Sequence, residues 1–193
     1  MPTNDSASRD PGQRHAKATE KALAQYDSLL KKNRSQDPVQ QIRDAVANDD
    51  IKGIRSLLEK ASGEDEKKQL LEAGLKTAAR TGRLNSLKVL HTNGADIHAV
   101  NDEALRWAAE NGHLEVVQYL VDNDADIHAM YNEALRGAAK NGHLDVVQYL
   151  VDNDADIHAM YNEALRGAAQ NGHLGVVEYI AENGEITSAK KDE

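Results

Sequence analysis

Histidines at two recurring positions have spacing that could support metal chemistry. Each set repeats at intervals of thirty residues: His113, His143 and His173, and His98, His128 and His158. Imidazole nitrogens bind zinc at about 2.0–2.1 Å, whereas neighbouring helices pack about 8–10 Å apart. Successive copies of either histidine therefore cannot share one ion, and we predict no metal site.

Aspartates with alternate spacing match part of a calcium-binding loop. Four acidic residues fall at positions 1, 3, 5 and 12 of that template, namely Asp122, Asp124, Asp126 and Glu133. Position 6, which must be glycine for the sharp turn, is Ile127 here. The run from Asp152 to Glu163 also lacks glycine at position 6, where it has Ile157. We interpret both runs as acidic, solvated loops.

Catalytic arrangements are not apparent in the sequence. Serine, histidine and aspartate are present, but no histidine departs from the recurring sets to stand near a nucleophile. No glycine-rich loop could cradle phosphate, and the chain has no cysteine for a thiol nucleophile or a disulfide. We therefore predict no catalytic residue, no cofactor and no small-molecule substrate.

These residues recur because the sequence itself repeats. Residues 103–132 and 133–162 are identical at 27 of 30 positions. A third copy begins at Glu163 and decays after Tyr179, while two weaker copies precede residue 103. The predicted array spans 39–186 in five units, at about 39–72, 73–102, 103–132, 133–162 and 163–186, and the first and last units act as polar caps.

Each unit has the pattern of two short helices. A first helix, Glu103–Glu110, leads through the Asn-Gly turn at 111–112 into a second helix, about His113–Asp122. Asp102, Asn132 and Asn162 stand where an N-cap side chain would bond free helix amides. Isolated helices below about 12–15 residues are marginal in water. The units must therefore stack, and the predicted fold class is all-α, a solenoid of helix-turn-helix repeats.

The recurring pattern is Ala-Ala-x-Asn-Gly-His-Leu-x-Val-Val-x-Tyr-Leu-Val, closed by Ala-Asp-Ile-His-Ala, and it resembles the ankyrin repeat. The usual opening Thr-Pro-Leu-His is replaced by Glu-Ala-Leu-Arg, as at Glu103–Arg106. The unit has thirty residues, whereas the family repeat has about thirty-three. The missing residues fall in the loop Met130–Asn132, so the resemblance implies a short or absent β-hairpin finger.

A ladder of basic residues follows the first helices. It consists of Lys76, Arg106, Arg136 and Arg166. A glutamate stands three residues before each arginine, so we predict pairing within each helix, worth about 0.3–0.5 kcal/mol for an exposed pair. We favour a structural ladder over the alternative, an anion-binding groove.

The units differ chiefly at exposed positions of the first helix, which in ankyrin proteins lines the concave face. Trp107 is the single tryptophan, and tyrosines lie in the adjoining loops. Tryptophan and tyrosine dominate protein-binding hot spots. The alternative is that Trp107 fills a seam against the neighbouring helix, where Gly137 leaves room. The predicted partner-binding residues are Arg80, Trp107, Glu110, Tyr131, Lys140, Tyr161 and Gln170.

Charge and composition limit the kinds of molecule that this protein can bind. The net charge is −9, and residues 103–162 alone carry −8, from eleven acidic and three basic residues. Such a surface repels phosphate backbones, so we predict no nucleic-acid partner. The sequence shows no signal peptide or membrane-spanning run, and the lack of cysteine fits a cytoplasmic location. We expect a monomer that binds a partner protein.

The resemblance adds an alternative biological setting. Similar short-finger arrays occur in giant viruses and intracellular bacteria. The protein could accordingly be an effector delivered into the cytosol of a host cell, or an inhibitor that masks a partner enzyme.

The N-terminal segment, residues 1–38, is polar and carries a charge of +2. A helix is predicted at 16–32, with an apolar stripe formed by Ala22, Leu23, Tyr26, Leu29 and Leu30. We favour packing of this stripe on the first unit as an extra cap, and the alternative is a partner-docking helix or a targeting arm. At the other end, a loop is predicted at Gly184–Thr187, followed by a polar tail at 187–193.

Overall fold

A computed structural model describes residues 37–190, with side chains to residue 184, together with Glu20, Lys21, Leu23–Tyr26 and Ser28. Within residues 37–190 it contains ten α-helices and no strand, which confirms the predicted all-α fold class. The helices are α1 (Pro38–Ala47), α2 (Ile51–Lys60), α3 (Glu64–Thr81), α4 (Leu84–Thr92), α5 (Ala99–Glu110), α6 (Leu114–Val121), α7 (Ala129–Asn141), α8 (Leu144–Asp152), α9 (Ala159–Gln170) and α10 (Leu174–Lys190).

The helices form two layers. The first helices α1, α3, α5, α7 and α9 pack side by side, and the second helices α2, α4, α6, α8 and α10 form the other layer. Paired alanines such as Ala138 and Ala139, both 0% exposed, let adjacent first helices approach closely. Leucines and valines of both layers fill the space between them, so one core runs through the stack.

A glycine and a histidine interlock between successive units. Gly112 has a φ of +74°, and a Cβ added there would lie 2.4 Å from Nδ1 of His143 in the next unit. The same histidine donates from Nε2 to the backbone carbonyl of Glu110 at 3.0 Å. His113 makes the equivalent bond to the carbonyl of Arg80. This set of histidines therefore has a structural role, and it requires glycine for both backbone conformation and space.

Asp49 replaces this glycine in the first unit. It has a φ of +53°, and Arg83 stands at the N-cap of α4, where later units have histidine. Without an imidazole above it, the Asp49 carboxylate accepts bonds from the Ser86 hydroxyl at 2.6 Å and the Ser86 amide at 3.2 Å. The hydroxyl bond holds the pKa of Asp49 below its ordinary value.

Left-handed turns replace the fingers, which confirms the prediction that the fingers are shortened. Met130, Tyr131 and Asn132 have φ values of +51°, +60° and +58°. The same conformation occurs at Val100–Asp102 and at Met160–Asn162. Left-handed geometry costs roughly 1–2 kcal/mol for each non-glycine residue. The surrounding contacts must therefore offset this strain.

The predicted N-cap role of Asp102, Asn132 and Asn162 is wrong. An N-cap residue needs an extended backbone, whereas these three are left-handed. Their side chains bond instead to Nδ1 of the histidine four residues upstream, as for Asp102 with His98 at 3.0 Å and Asn162 with His158 at 2.7 Å. The second histidine set therefore holds the turns.

Two helices run across unit boundaries that the sequence suggested. Helix α3 begins at Glu64, ahead of the unit start predicted at 73. Helix α10 continues through Gly184–Thr187, where a loop was predicted, to Lys190. A single glycine weakens a helix by only about 1 kcal/mol, so Gly184 does not by itself end α10.

The described residues of the N-terminal segment are helical, and Leu23 and Tyr26 are exposed. The rest of the predicted stripe, Ala22, Leu29 and Leu30, lies outside the described residues. Packing of this stripe on the first unit stays a prediction.

Candidate functional site

Trp107 is half-buried on α5 and contacts two cations of the preceding first helix. Lys76 Nζ lies 4.8 Å from the ring centroid, and the guanidinium carbon of Arg80 lies 5.6 Å from it. Both distances are in the range of cation–π attraction. These contacts fix the ring against α3.

Glu110 lies next to the position where Gly137 has no side chain. A Cβ at Gly137 would lie 3.3 Å from the Cβ of Glu110. The ring of Trp107 contacts Lys76 and Arg80 of α3, and Trp107 and Gly137 border the same cavity.

Two adjoining cavities share Trp107 and Glu110. One, of about 180 Å³, is also lined by Arg106, Glu133, Arg136, Gly137, Lys140 and Glu163. The other, of about 270 Å³, is completed by Arg80, Asn111 and Asn141. Together they form the Trp107 groove. Pockets that enclose small ligands usually have about 300–1,000 Å³ and mostly apolar walls. These small, charged cavities suit protein side chains better.

The structure brings four of the seven predicted binding residues together in this groove: Arg80, Trp107, Glu110 and Lys140. The other three lie apart from it. Gln170 is exposed on α9. Tyr131 and Tyr161 lie on the left-handed turns, with 70% and 87% of their surfaces exposed.

The ion pairs of the ladder join different units, so the predicted pairing within each helix is wrong. Glu103 pairs with Lys76 at 2.9 Å, Glu133 pairs with Arg106 at 2.7 Å, and Glu163 pairs with Arg136. The small alanines bring adjacent first helices close enough for the cross-unit contact. The Arg106 and Arg136 side chains are only 15% and 17% exposed.

Each arginine also binds the left-handed turn near the start of its own helix. Arg106 donates from Nη2 to the carbonyl of Val100 at 3.0 Å and from Nε to that of Asn101 at 3.2 Å. Arg136 donates to the carbonyl of Met130 at 3.2 Å. The fixed fork of guanidinium donors suits this double task. The Glu-Ala-Leu-Arg opening thus stabilises the turn and links it to the next unit.

The left-handed turns expose large apolar side chains next to this ladder. They belong to Val100, Met130, Tyr131, Met160 and Tyr161, and together these residues form the turn edge. Sequence reasoning selected the two tyrosines and missed the other three. These three residues recur three positions before the glutamate of each Glu-Ala-Leu-Arg opening, which is a signal in the sequence, but their exposure depends on the turn conformation.

The residues considered for metal binding have other partners. Asp126 Oδ1 accepts the amide of His128 at 2.8 Å, and Glu133 pairs with Arg106. Among the described residues, no group of three or more histidine or acidic side chains could hold a metal ion.

Clear pKa shifts occur outside the groove, where burial and then the Asp122 carboxylate raise the pKa of Tyr149.

A further cavity, of about 400 Å³, lies between α1, α3 and the start of α5. Val39, Ala73 and Ile97 contribute its apolar wall, and Arg43 and Glu103 lie at its border.

A family model described as ankyrin repeats (3 copies) matches residues 42–131, 75–161 and 130–191. No curated protein sequence matches the chain significantly. None of the described helices is long and apolar enough to cross a membrane.

Proposed function

The chain belongs to the ankyrin repeat family, and from this premise we propose that it is a non-catalytic module that binds a partner protein through the Trp107 groove on its concave face. Ankyrin repeats are generally protein–protein interaction modules. The observation that carries the proposal is the position of the single tryptophan, which lies where the two groove cavities meet.

The tryptophan is fixed before any partner binds. Lys76 and Arg80 hold its ring, so little side-chain freedom remains to be lost on binding. Rigid aromatic side chains in partly enclosed sites are typical hot spots. Trp107 is therefore the residue whose removal should weaken binding most.

Charges alternate around the tryptophan. Arg80, Glu110 and Lys140 are exposed on three successive units. Adjacent helices pack about 8–10 Å apart, so a partner that presents acidic, basic and acidic groups at that interval would fit. Such complementarity sets register and discriminates between partners.

A pull-down from cell lysate tests the proposal. The full chain is compared with Trp107→Ala and with Leu174→Ala, which removes an apolar side chain that is exposed outside the groove. We expect a partner to be retained by the parent and by Leu174→Ala and lost by Trp107→Ala, with unchanged helical content in all three. Equal recovery by Trp107→Ala would contradict the proposal.

The activity of the recovered partner decides between two modes of action. If complex formation abolishes an enzymatic activity, the protein acts as an inhibitor, the mode of a host-directed effector that masks an enzyme. If the activity persists, the protein acts as a scaffold. In both cases we place the monomeric protein in the cytoplasm, which fits its lack of cysteine.

A further inference from the structure

We propose that the turn edge is a second binding surface, and that it takes a protein segment rich in arginine and lysine with apolar side chains between the charges. The inference rests on the proposed binding function. It uses residues outside the Trp107 groove, however, so each can fail without the other.

The turn edge presents apolar groups in a regular row. Met130 and Tyr131 are exposed on one turn, and Met160 and Tyr161 occupy the same positions on the next. Clusters of exposed apolar side chains mark interaction sites in soluble proteins. Methionine adapts its shape to what it contacts, and tyrosine adds a rigid ring.

The left-handed backbone of these turns favours glycine over the valine, methionine and tyrosine found there. Val100, Met130 and Tyr131 all have a left-handed φ, which glycine would adopt without strain. A turn that only connected two helices would be more stable with glycine or asparagine. Strained residues of this kind cluster at ligand-binding segments, so the apolar side chains point to a partner.

Aspartates lie on the loop next to these apolar groups. The Asp156 amide donates to Oδ1 of Asn132 at 2.9 Å, which places the acidic loop of one unit against the turn that carries Tyr131 in the preceding unit. The aspartates of both loops are exposed: Asp122, Asp124, Asp126, Asp152, Asp154 and Asp156.

Basic residues are missing from the same stretches. Residues 107–135 and 141–165 contain no lysine or arginine. The arginines that contact the turns lie outside these stretches, and the charges of Arg106 and Arg136 are offset by Glu133 and Glu163 rather than by the loop aspartates. Arg166 contacts the last turn without a glutamate partner among the described side chains. A cationic segment would meet carboxylates and tyrosine ring faces, both of which attract guanidinium and ammonium groups. Nucleic acid and anionic membrane surfaces would be repelled.

The test uses two fluorescein-labelled synthetic peptides of alternating charged and leucine residues, one with arginine and one with glutamate, titrated with the full chain by fluorescence anisotropy. We expect only the arginine peptide to bind, and binding to weaken as salt increases. Tyr131→Ala/Tyr161→Ala should weaken it by about tenfold or more, since two exposed rings are lost.

A charge variant provides the second measurement. Asp126→Asn/Asp156→Asn removes two charges but keeps the side-chain oxygens that accept the amides of His128 and His158. Glu115→Gln/Glu178→Gln removes two exposed charges from second helices and is the matched control. We expect the first pair to weaken arginine-peptide binding several-fold more than the control pair.

Three outcomes would overturn the inference. The arginine peptide could fail to bind, the turn-edge variants could bind it as well as their control does, or sedimentation could show self-association that the tyrosine variant removes, which would assign the edge to a second copy. Trp107→Ala separates the two proposals. Peptide binding lost by Trp107→Ala but kept by Tyr131→Ala/Tyr161→Ala would move the peptide to the groove, leaving the proposed function standing and this inference wrong.

Discussion

At the scale of the residue, Gly82, Gly112 and Gly142 each face a histidine of the following unit. A Cβ at Gly142 would lie 2.4 Å from Nδ1 of His173, whereas a Cβ at Gly172 would have no atom within 4 Å. The two glycines have similar φ values of +80° and +75°. They therefore separate the backbone requirement for glycine from the steric one.

Gly142→Ala should destabilise the protein more than Gly172→Ala. Both substitutions place a Cβ in left-handed backbone, which costs roughly 1–2 kcal/mol. Only the first forces the His173 ring to move, and we expect this overpacking to add about 1–3 kcal/mol. Urea unfolding of both variants measures the difference. Equal losses in the free energy of unfolding would show that the ring does not define the glycine.

At the scale of the element, the left-handed turn and the first helix behind it depend on one arginine. Arg136 binds the carbonyl of Met130 and the carboxylate of Glu163 in the next unit. Arg166 makes only the weaker equivalent of the first bond, 3.4 Å to Met160, and no glutamate among the described side chains pairs with it. The same residue type thus supports one turn with an ion pair and one without.

Arg136→Gln should accordingly be more destabilising than Arg166→Gln. Hydrogen bonds to charged groups contribute about 1.5–3 kcal/mol when largely buried, so we expect a loss in that range at Arg136. The exposed Arg166 should lose less than about 1 kcal/mol. Thermal and urea unfolding measure both values, and Glu163→Gln should reproduce part of the Arg136 effect. A larger loss at Arg166 would contradict the assignment of the ladder.

At the scale of the whole molecule, the features that the sequence predicted correctly are those that follow from its thirty-residue period. The thirty-residue period predicts the two helical layers, since residues such as Leu105 and Leu135 recur in register and are fully buried. The same register brings Trp107, Glu110 and Lys140 into one groove. Residues that share a position in successive helices must lie near each other once the units stack.

The features that the sequence did not predict depend on which of several nearby partners or backbone conformations a residue adopts. Arg106 could pair with Glu103 in its own helix or with Glu133 in the next, and only the close packing of the alanines favours the second. The left-handed turn gives no local signal, because Met130 and Tyr131 disfavour that backbone conformation. For the same reason the caps were assigned wrongly, since Asn132 has the composition of a cap but not its backbone.

The central claim is that a partner protein binds at Trp107, and the residue itself provides the most direct test. It is the single tryptophan of the chain, so biosynthetic 5-fluorotryptophan gives the full-length protein one ¹⁹F resonance. The unlabelled partner recovered in the pull-down is then added, and sedimentation establishes that the complex has formed. The account predicts that the ¹⁹F resonance shifts or broadens in the complex, and an unchanged resonance from a fully formed complex would contradict it.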